Sequence, residues 1–328
     1  MRLRSTTAIA ALALAISVPA SAQLLAGEKQ ADITTIPGVI ASGAKWARAW
    51  SSPMTADGMT TAPDGSVLFA QEQSNAIWKL WPDGRAFVAF PYVEGAGAVS
   101  VDSAGRIIAV GRGCTDPGLH LANCADQTPV LLLGPERKVI ADKFADGKPL
   151  GRLNDVAADG KGGAYFTQGS LYHVAADGTV TAIYKPERFT NGVALSPDGK
   201  VLYVTDSMNV VAFDVADDGT TGNQRVFAKL ADTAGFGGDG MKVDSAGRLY
   251  VTGDAGIYVF DPAGKQLGVI PVPRRAITLA FAGPDRHTLY VGAMGAVDPD
   301  GKDWATPQGV RNVAMTIYKV KVLAKGPR

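Results

Sequence analysis

Asn191-Gly-Val-Ala-Leu-Ser-Pro-Asp-Gly-Lys-Val-Leu-Tyr-Val-Thr-Asp206-Ser207 is the segment that decides the fold. Two apolar, β-forming runs flank Ser196-Pro-Asp-Gly199. Pro197 pre-sets φ for a turn and Gly199 takes the positive φ that other residues resist, so the runs are predicted to fold back as an antiparallel hairpin. Asn191 and Asp206 then stand at the strand ends, where an amide and a carboxylate serve either a metal or substrate site or ordinary turn and cap chemistry.

The hairpin recurs. Copies lie around Asp64, Asp102, Asp159, Asp198, Asp244 and Asp285, at intervals of 38, 57, 39, 46 and 41 residues. A second apolar hairpin follows each copy, beginning at Ile77, Val130, Leu171, Val210, Ile257 and Met315. Two hairpins per unit make four strands, and this period with four strands per repeat predicts an all-β, six-bladed β-propeller around a central channel. The alternating run Trp46-Ala-Arg-Ala-Trp50 is expected to join the last blade, closing the ring and removing an exposed edge. The longest interval holds Cys114 and Cys124, expected to form a local disulfide in a loop over 111–128 that covers the channel mouth.

Residues 1–22 read as an export signal: Arg2 and Arg4, an apolar run too short to span a bilayer, then Ala20-Ser-Ala22. The expected mature chain is one domain over 23–328, periplasmic or secreted and monomeric. The formal net charge is +1, and without Arg2 and Arg4 it is −1, which gives no electrostatic case for nucleic acid or an anionic membrane as partner.

In a propeller, equivalent positions of the innermost strands converge on one channel mouth. Those positions hold Asp57, Gly97, Asn154 with Asp155, Asn191, Asp239 and Thr278. Carboxylate and amide oxygens without sulfur or imidazole suit a hard divalent cation. The alternative for each residue alone is a turn dipeptide; the shared register favours a metal set of Asp57, Asn154, Asn191 and Asp239. No Gly-x-Ser-x-Gly elbow is present, and His120, His173 and His287 fall in a loop, an outer hairpin and a turn.

Gly151-Arg-Leu-Asn-Asp155 with Ala164-Tyr-Phe-Thr167, Asn191-Gly-Val-Ala-Leu-Ser-Pro-Asp-Gly199 with Leu202-Tyr-Val-Thr-Asp206, Gly238-Asp-Gly-Met241 and Leu279-Ala-Phe-Ala-Gly-Pro-Asp285 resemble successive blade motifs of the gluconolactonase/regucalcin (senescence marker protein) family. The resemblance runs from Asp57 to Val291. It implies a six-bladed propeller holding a divalent cation, Ca²⁺ first and Zn²⁺, Mn²⁺ or Mg²⁺ otherwise, and hydrolysis of a sugar lactone or similar small cyclic ester. By position it makes Asn191 and Asp239 metal ligands and Asn154 a metal or substrate ligand. Asp57 stands where the family carries a glutamate, one methylene longer, and Glu72 is a conceivable substitute expected near the rim. Asp239 or Asp206 is expected to take the proton of the attacking water, with Asn154, Asp155, Arg152 and Lys242 on the substrate. The alternatives are a non-catalytic binding propeller and a lyase or phosphotriesterase on the same scaffold.

Overall fold

The computed structural model describes residues 23–113, 128–186, 188–231, 237–304 and 314–327. The expected Cys114–Cys124 bridge lies outside these residues. Among them there are twenty-four strands and no helix, arranged as six antiparallel four-stranded sheets.

Blade one is β2 (Asp57–Thr61), β3 (Val67–Gln71), β4 (Ala76–Leu80) and β5 (Ala86–Pro91). Blade two is β6 (Ala96–Val101), β7 (Ile107–Gly111), β8 (Val130–Gly134) and β9 (Lys138–Ala141). Blade three is β10 (Val156–Ala158), β11 (Ala164–Thr167), β12 (Leu171–Val174) and β13 (Val180–Tyr184). Blade four is β14 (Thr190–Leu195), β15 (Val201–Asp206), β16 (Asn209–Val215) and β17 (Thr221–Lys229). Blade five is β18 (Met241–Val243), β19 (Leu249–Gly253), β20 (Gly256–Phe260) and β21 (Gln266–Ile270). Blade six is β22 (Ala276–Ala282), β23 (Thr288–Met294) and β24 (Met315–Lys321), completed by β1 (Ala47–Ser52). The N-terminal strand thus closes the ring on β24, from Ala47 opposite Lys319 to Ser52 opposite Met315.

The hairpin over 191–207 forms as its turn chemistry dictates. Ser196 N–H donates to the Val201 carbonyl and Gly199 N–H to the Ser196 carbonyl, with Gly199 at φ +71°. The core is divided rather than central, because each sheet buries both faces against its neighbours. Six apolar clusters result, one per blade interface: Phe69 and Leu80 meet Ala280 and Tyr290 between blades one and six, and Val204 and Phe213 meet Tyr165 between blades four and three. At roughly 1.5–3 kcal/mol for each fully buried large apolar side chain, these interfaces hold the ring together.

The segment over 24–45, ahead of β1, also contributes. Ile33, Ile36, Val39 and Ile40 are buried against Ile257, Ile270 and Leu289 of blades five and six. Glu28 pins this segment to the closing blade: Oε1 accepts from Arg48 Nε at 2.8 Å and from the Tyr318 hydroxyl at 2.7 Å, and Oε2 from Leu25 N–H at 2.9 Å. Burial raises the Glu28 pKa, but the Arg48 and Tyr318 hydrogen bonds outweigh it and hold the carboxyl down at about 2. A carboxylate depressed in this way stabilises the fold above its unfolded pKa of about 4.5, and the contribution fades as pH falls toward 2. Glu28→Gln is therefore expected to cost about 1 kcal/mol at pH 7. Urea unfolding should show that difference shrinking at pH 3.5, and a pH-independent gap would contradict the assignment.

Candidate functional site

The innermost strands lie side by side around the channel, each touching the next, and their first residues surround one mouth. Four of them are irregular at that point: register shifts fall between Asp57 and Thr60, Ala96 and Ala98, Thr190 and Val193, and Ala276 and Thr278. A bulge breaks the in-and-out alternation and re-aims the side chain beside it. Threonines on the second strands tie the freed backbone down. Thr167 Oγ1 donates to the Asn191 carbonyl at 2.5 Å, Thr205 Oγ1 accepts from Gly192 N–H at 2.8 Å, and Thr252 Oγ1 donates to the Gly240 carbonyl at 2.9 Å. The recurrence of threonine after Tyr-Phe or Tyr-Val in three successive repeats was the sequence signal for these ties.

Asp57, Asn154, Asn191 and Asp239 line one cavity of about 10 Å³, together with Asp155, Lys242, Arg112 and Thr278. That space admits a single ion or water. The donor set, two carboxylates and two amides, suits a hard cation. The Asn154 amide nitrogen donates to Asn191 Oδ1, and Asp57 Oδ1 accepts from Gly58 N–H at 2.8 Å.

The electrostatics centre on Asp239. Burial, then the charges of Asp57 and Asp155, push its carboxyl up to about 8 against the pull of Arg275 and Arg112. Burial also lowers the Lys242 ammonium, opposed by Asp155 and Asp57, and raises Asp155, opposed first by Lys242.

The remaining predicted site residues are placed differently. Both Asp155 oxygens hold backbone: Oδ1 accepts from Val156 N–H at 2.8 Å and Oδ2 from Val193 N–H at 3.0 Å, stitching blade three to blade four. Asp206 does not line the cavity, and its Oδ2 accepts from the Tyr184 hydroxyl at 2.7 Å. Arg152 is partly exposed outside the cavity, with Nη2 3.3 Å from Glu72 Oε1. Glu72 is not at the rim. It is only 3 % exposed, held between Arg152 and Arg112.

Arg112 is the member that sequence reasoning missed. It follows β7, two residues past the Ala98–Val110 pair, as Asp206 stands two past the Val193–Val204 pair. The register was legible, but in blade two its occupant reaches the channel. Nη2 lies 2.9 Å from Asp57 Oδ2 and 2.7 Å from Asn154 Oδ1, and Nη1 lies 3.1 Å from Glu72 Oε2. Arg112 is 7 % exposed; burial favours losing its proton, yet Asp57 and Glu72 hold the pKa above its ordinary value.

A larger cavity, about 390 Å³, opens at the opposite mouth, at the far ends of the innermost strands. Three of its carboxylates are committed to turns, and the fourth, the exposed Asp217, pairs with Lys200. Asp102 binds Arg106, Asp159 binds Gly163 N–H and His173, and Asp198 binds Ser196.

A family model described as SMP-30/Gluconolactonase/LRE-like region matches residues 55–295. The chain is 31 % identical to pentonolactonase XacC of Haloferax volcanii over 188 residues, covering 53 % of this chain and 64 % of that protein's length. It is 25 % identical to the gluconolactonase of Zymomonas mobilis over 298 residues, 80 % of each chain. The fold superposes on a calcium-binding protein, regucalcin, from Agrobacterium tumefaciens with a TM-score of 0.62 at 20 % identity, covering 85 % of this chain and 95 % of that one. Matched from Thr55 to Gly295, this chain belongs to the SMP-30/gluconolactonase/LRE-like family.

Proposed function

We propose that this protein is a lactonase that opens a sugar lactone or similar small cyclic ester at the mouth lined by Asp57, Asn154, Asn191 and Asp239. The observation that carries the reading is the convergence of these four side chains, from blades one, three, four and five, on a cavity with room for one ion. The lactonase names borne by its relatives set the reaction class.

The oxygens of Asp57, Asn154, Asn191 and Asp239 would hold a divalent cation, Ca²⁺ foremost, which supplies Lewis acidity to an ester carbonyl. The chain's own groups do the rest. Asp239, a buried carboxylate on the cavity wall, accepts the proton of the attacking water as general base. Asn154 and Asn191 orient each other through their amide contact and so fix the ester against that water. Arg152, partly exposed beside the mouth, and Lys242, on the cavity wall, are positioned to meet the polar rim of a sugar and the carboxylate that ring opening releases.

A panel of five- and six-membered sugar lactones, assayed before and after chelation and after Ca²⁺ return, tests both parts. The expected result is turnover of at least one lactone, reduced a hundredfold or more by chelation and restored by Ca²⁺. Turnover indifferent to chelation overturns the ion requirement, and silence across the panel overturns the activity.

A further inference from the structure

We propose that the Arg112 guanidinium is a resident cation of the ring, and that a divalent ion binds only by displacing it onto Glu72. The inference rests on reading the ring as an ion site. In blade two the residue at the register shift, between Ala96 and Ala98, is Gly97, which has no side chain. A Cβ on Gly97 would lie 2.7 Å from Arg112 Nε and 2.9 Å from Arg112 Cγ, so the glycine is the gap through which the arginine enters. The side chain is held along its length. Arg112 N–H donates to the Gly95 carbonyl at 2.8 Å, Nε to the Leu153 carbonyl at 3.3 Å and Nη2 to the Asn154 carbonyl at 3.2 Å.

Its tip then covers an oxygen on two of the four candidate ligands, Asp57 Oδ2 and Asn154 Oδ1. An oxygen turned toward a guanidinium N–H cannot at once face a metal ion, and two cations so close repel strongly in a site shielded from water. Ion and guanidinium therefore exclude each other at Asp57. The alternative partner is already in contact, because Nη1 touches Glu72 Oε2, and Glu72 is a buried carboxylate with no counterpart among the predicted ring ligands.

Isothermal titration of Ca²⁺ into the chelated protein tests this. Arg112→Gln is expected to tighten Ca²⁺ binding at least tenfold, and Glu72→Gln, which removes the alternative partner, to weaken it by a similar factor. Because Arg112→Gln leaves buried carboxylates with fewer partners, the charge-balanced double variant Arg112→Gln/Glu72→Gln is the safeguard against misfolding, and it too should bind more tightly than the parent. Thermal melts confirm folding, and the rise in melting temperature with added Ca²⁺ gives an independent readout. Parent and folded double variant binding Ca²⁺ equally would overturn the displacement while leaving the ion site standing. No Ca²⁺ binding by the parent or by any variant at millimolar concentration would overturn the ion site and the displacement together.

Discussion

Asp239→Asn is expected to lose lactone turnover by at least about a thousandfold, the loss of a general base compounded by the loss of an ion ligand, and yet to melt higher than the parent when no ion is present. The second half follows from the sign of the pKa shift. Burial and the neighbouring Asp57 and Asp155 hold the Asp239 carboxyl up at about 8, whereas an unfolded aspartate titrates near 3.8. Between these values the unfolded chain carries an ionised Asp239 and the folded chain a protonated one, so the folded state binds the extra proton and loses stability as pH rises. Asparagine has no such dependence. The gap in melting temperature between variant and parent should therefore open from pH 4 to 8 and level off above it, reaching roughly 2–6 °C. Adding Ca²⁺ should narrow it, since the ion binds and stabilises the ionised parent. Melts in chelating buffer across that range, beside lactone kinetics, check the whole claim; a gap that closes with rising pH, or a variant that retains turnover, would refute it.

The ring was legible in the sequence and its interior was not. Asp57, Asn154, Asn191 and Asp239 repeat at one register, and a repeat converts register into proximity without any knowledge of side-chain direction. The blades were legible for the same reason, since apolar alternation and Asp-Gly turns are local. What balances the ring is not local. Arg112 reaches Asp57 and Asn154 across three blades, and its path depends on the gap left by Gly97. Glu72 follows directly after β3 and was expected near the rim, yet it is buried and two arginines meet it there. Asp155 and Asp206 looked equally free to act, but hydrogen bonds to Val193 and Tyr184 commit them, and neither partner is near in sequence. Partner choice across blade interfaces is set by the closed ring, and a repeat pattern carries no information about it.

The two glycines of the deciding hairpin separate these levels. Gly199 occupies the turn at φ +71° with only Leu195 Cδ2 near an added Cβ, at 4.0 Å. Gly199→Ala should cost about 1–2 kcal/mol for the left-handed conformation and leave turnover intact. Gly192 has no such φ, but a Cβ there would sit 2.2 Å from the Asp239 carbonyl oxygen and 3.0 Å from Gly240 Cα. Neither side can yield cheaply. Gly192 N–H is fixed to Thr205 Oγ1, Asp239 N–H donates to the Thr252 carbonyl at 3.0 Å, and Gly240 N–H donates to the Ile277 carbonyl of blade six at 2.8 Å. The added methyl must part blade four from blade five at the ring, so Gly192→Ala should cost roughly 3 kcal/mol or more. Because the displaced backbone carries Asn191 on one side and Asp239 on the other, turnover should fall about a hundredfold in the molecules that remain folded, as an ångström of misplacement among reacting groups does. Melting temperatures and kcat/KM for the two variants, measured side by side, decide the matter. If Gly192→Ala behaves like Gly199→Ala, the close approach of the two backbones does not hold the ring in place; if it alone loses both stability and turnover, the ring's geometry is set by backbone contact between blades before any ion or substrate arrives.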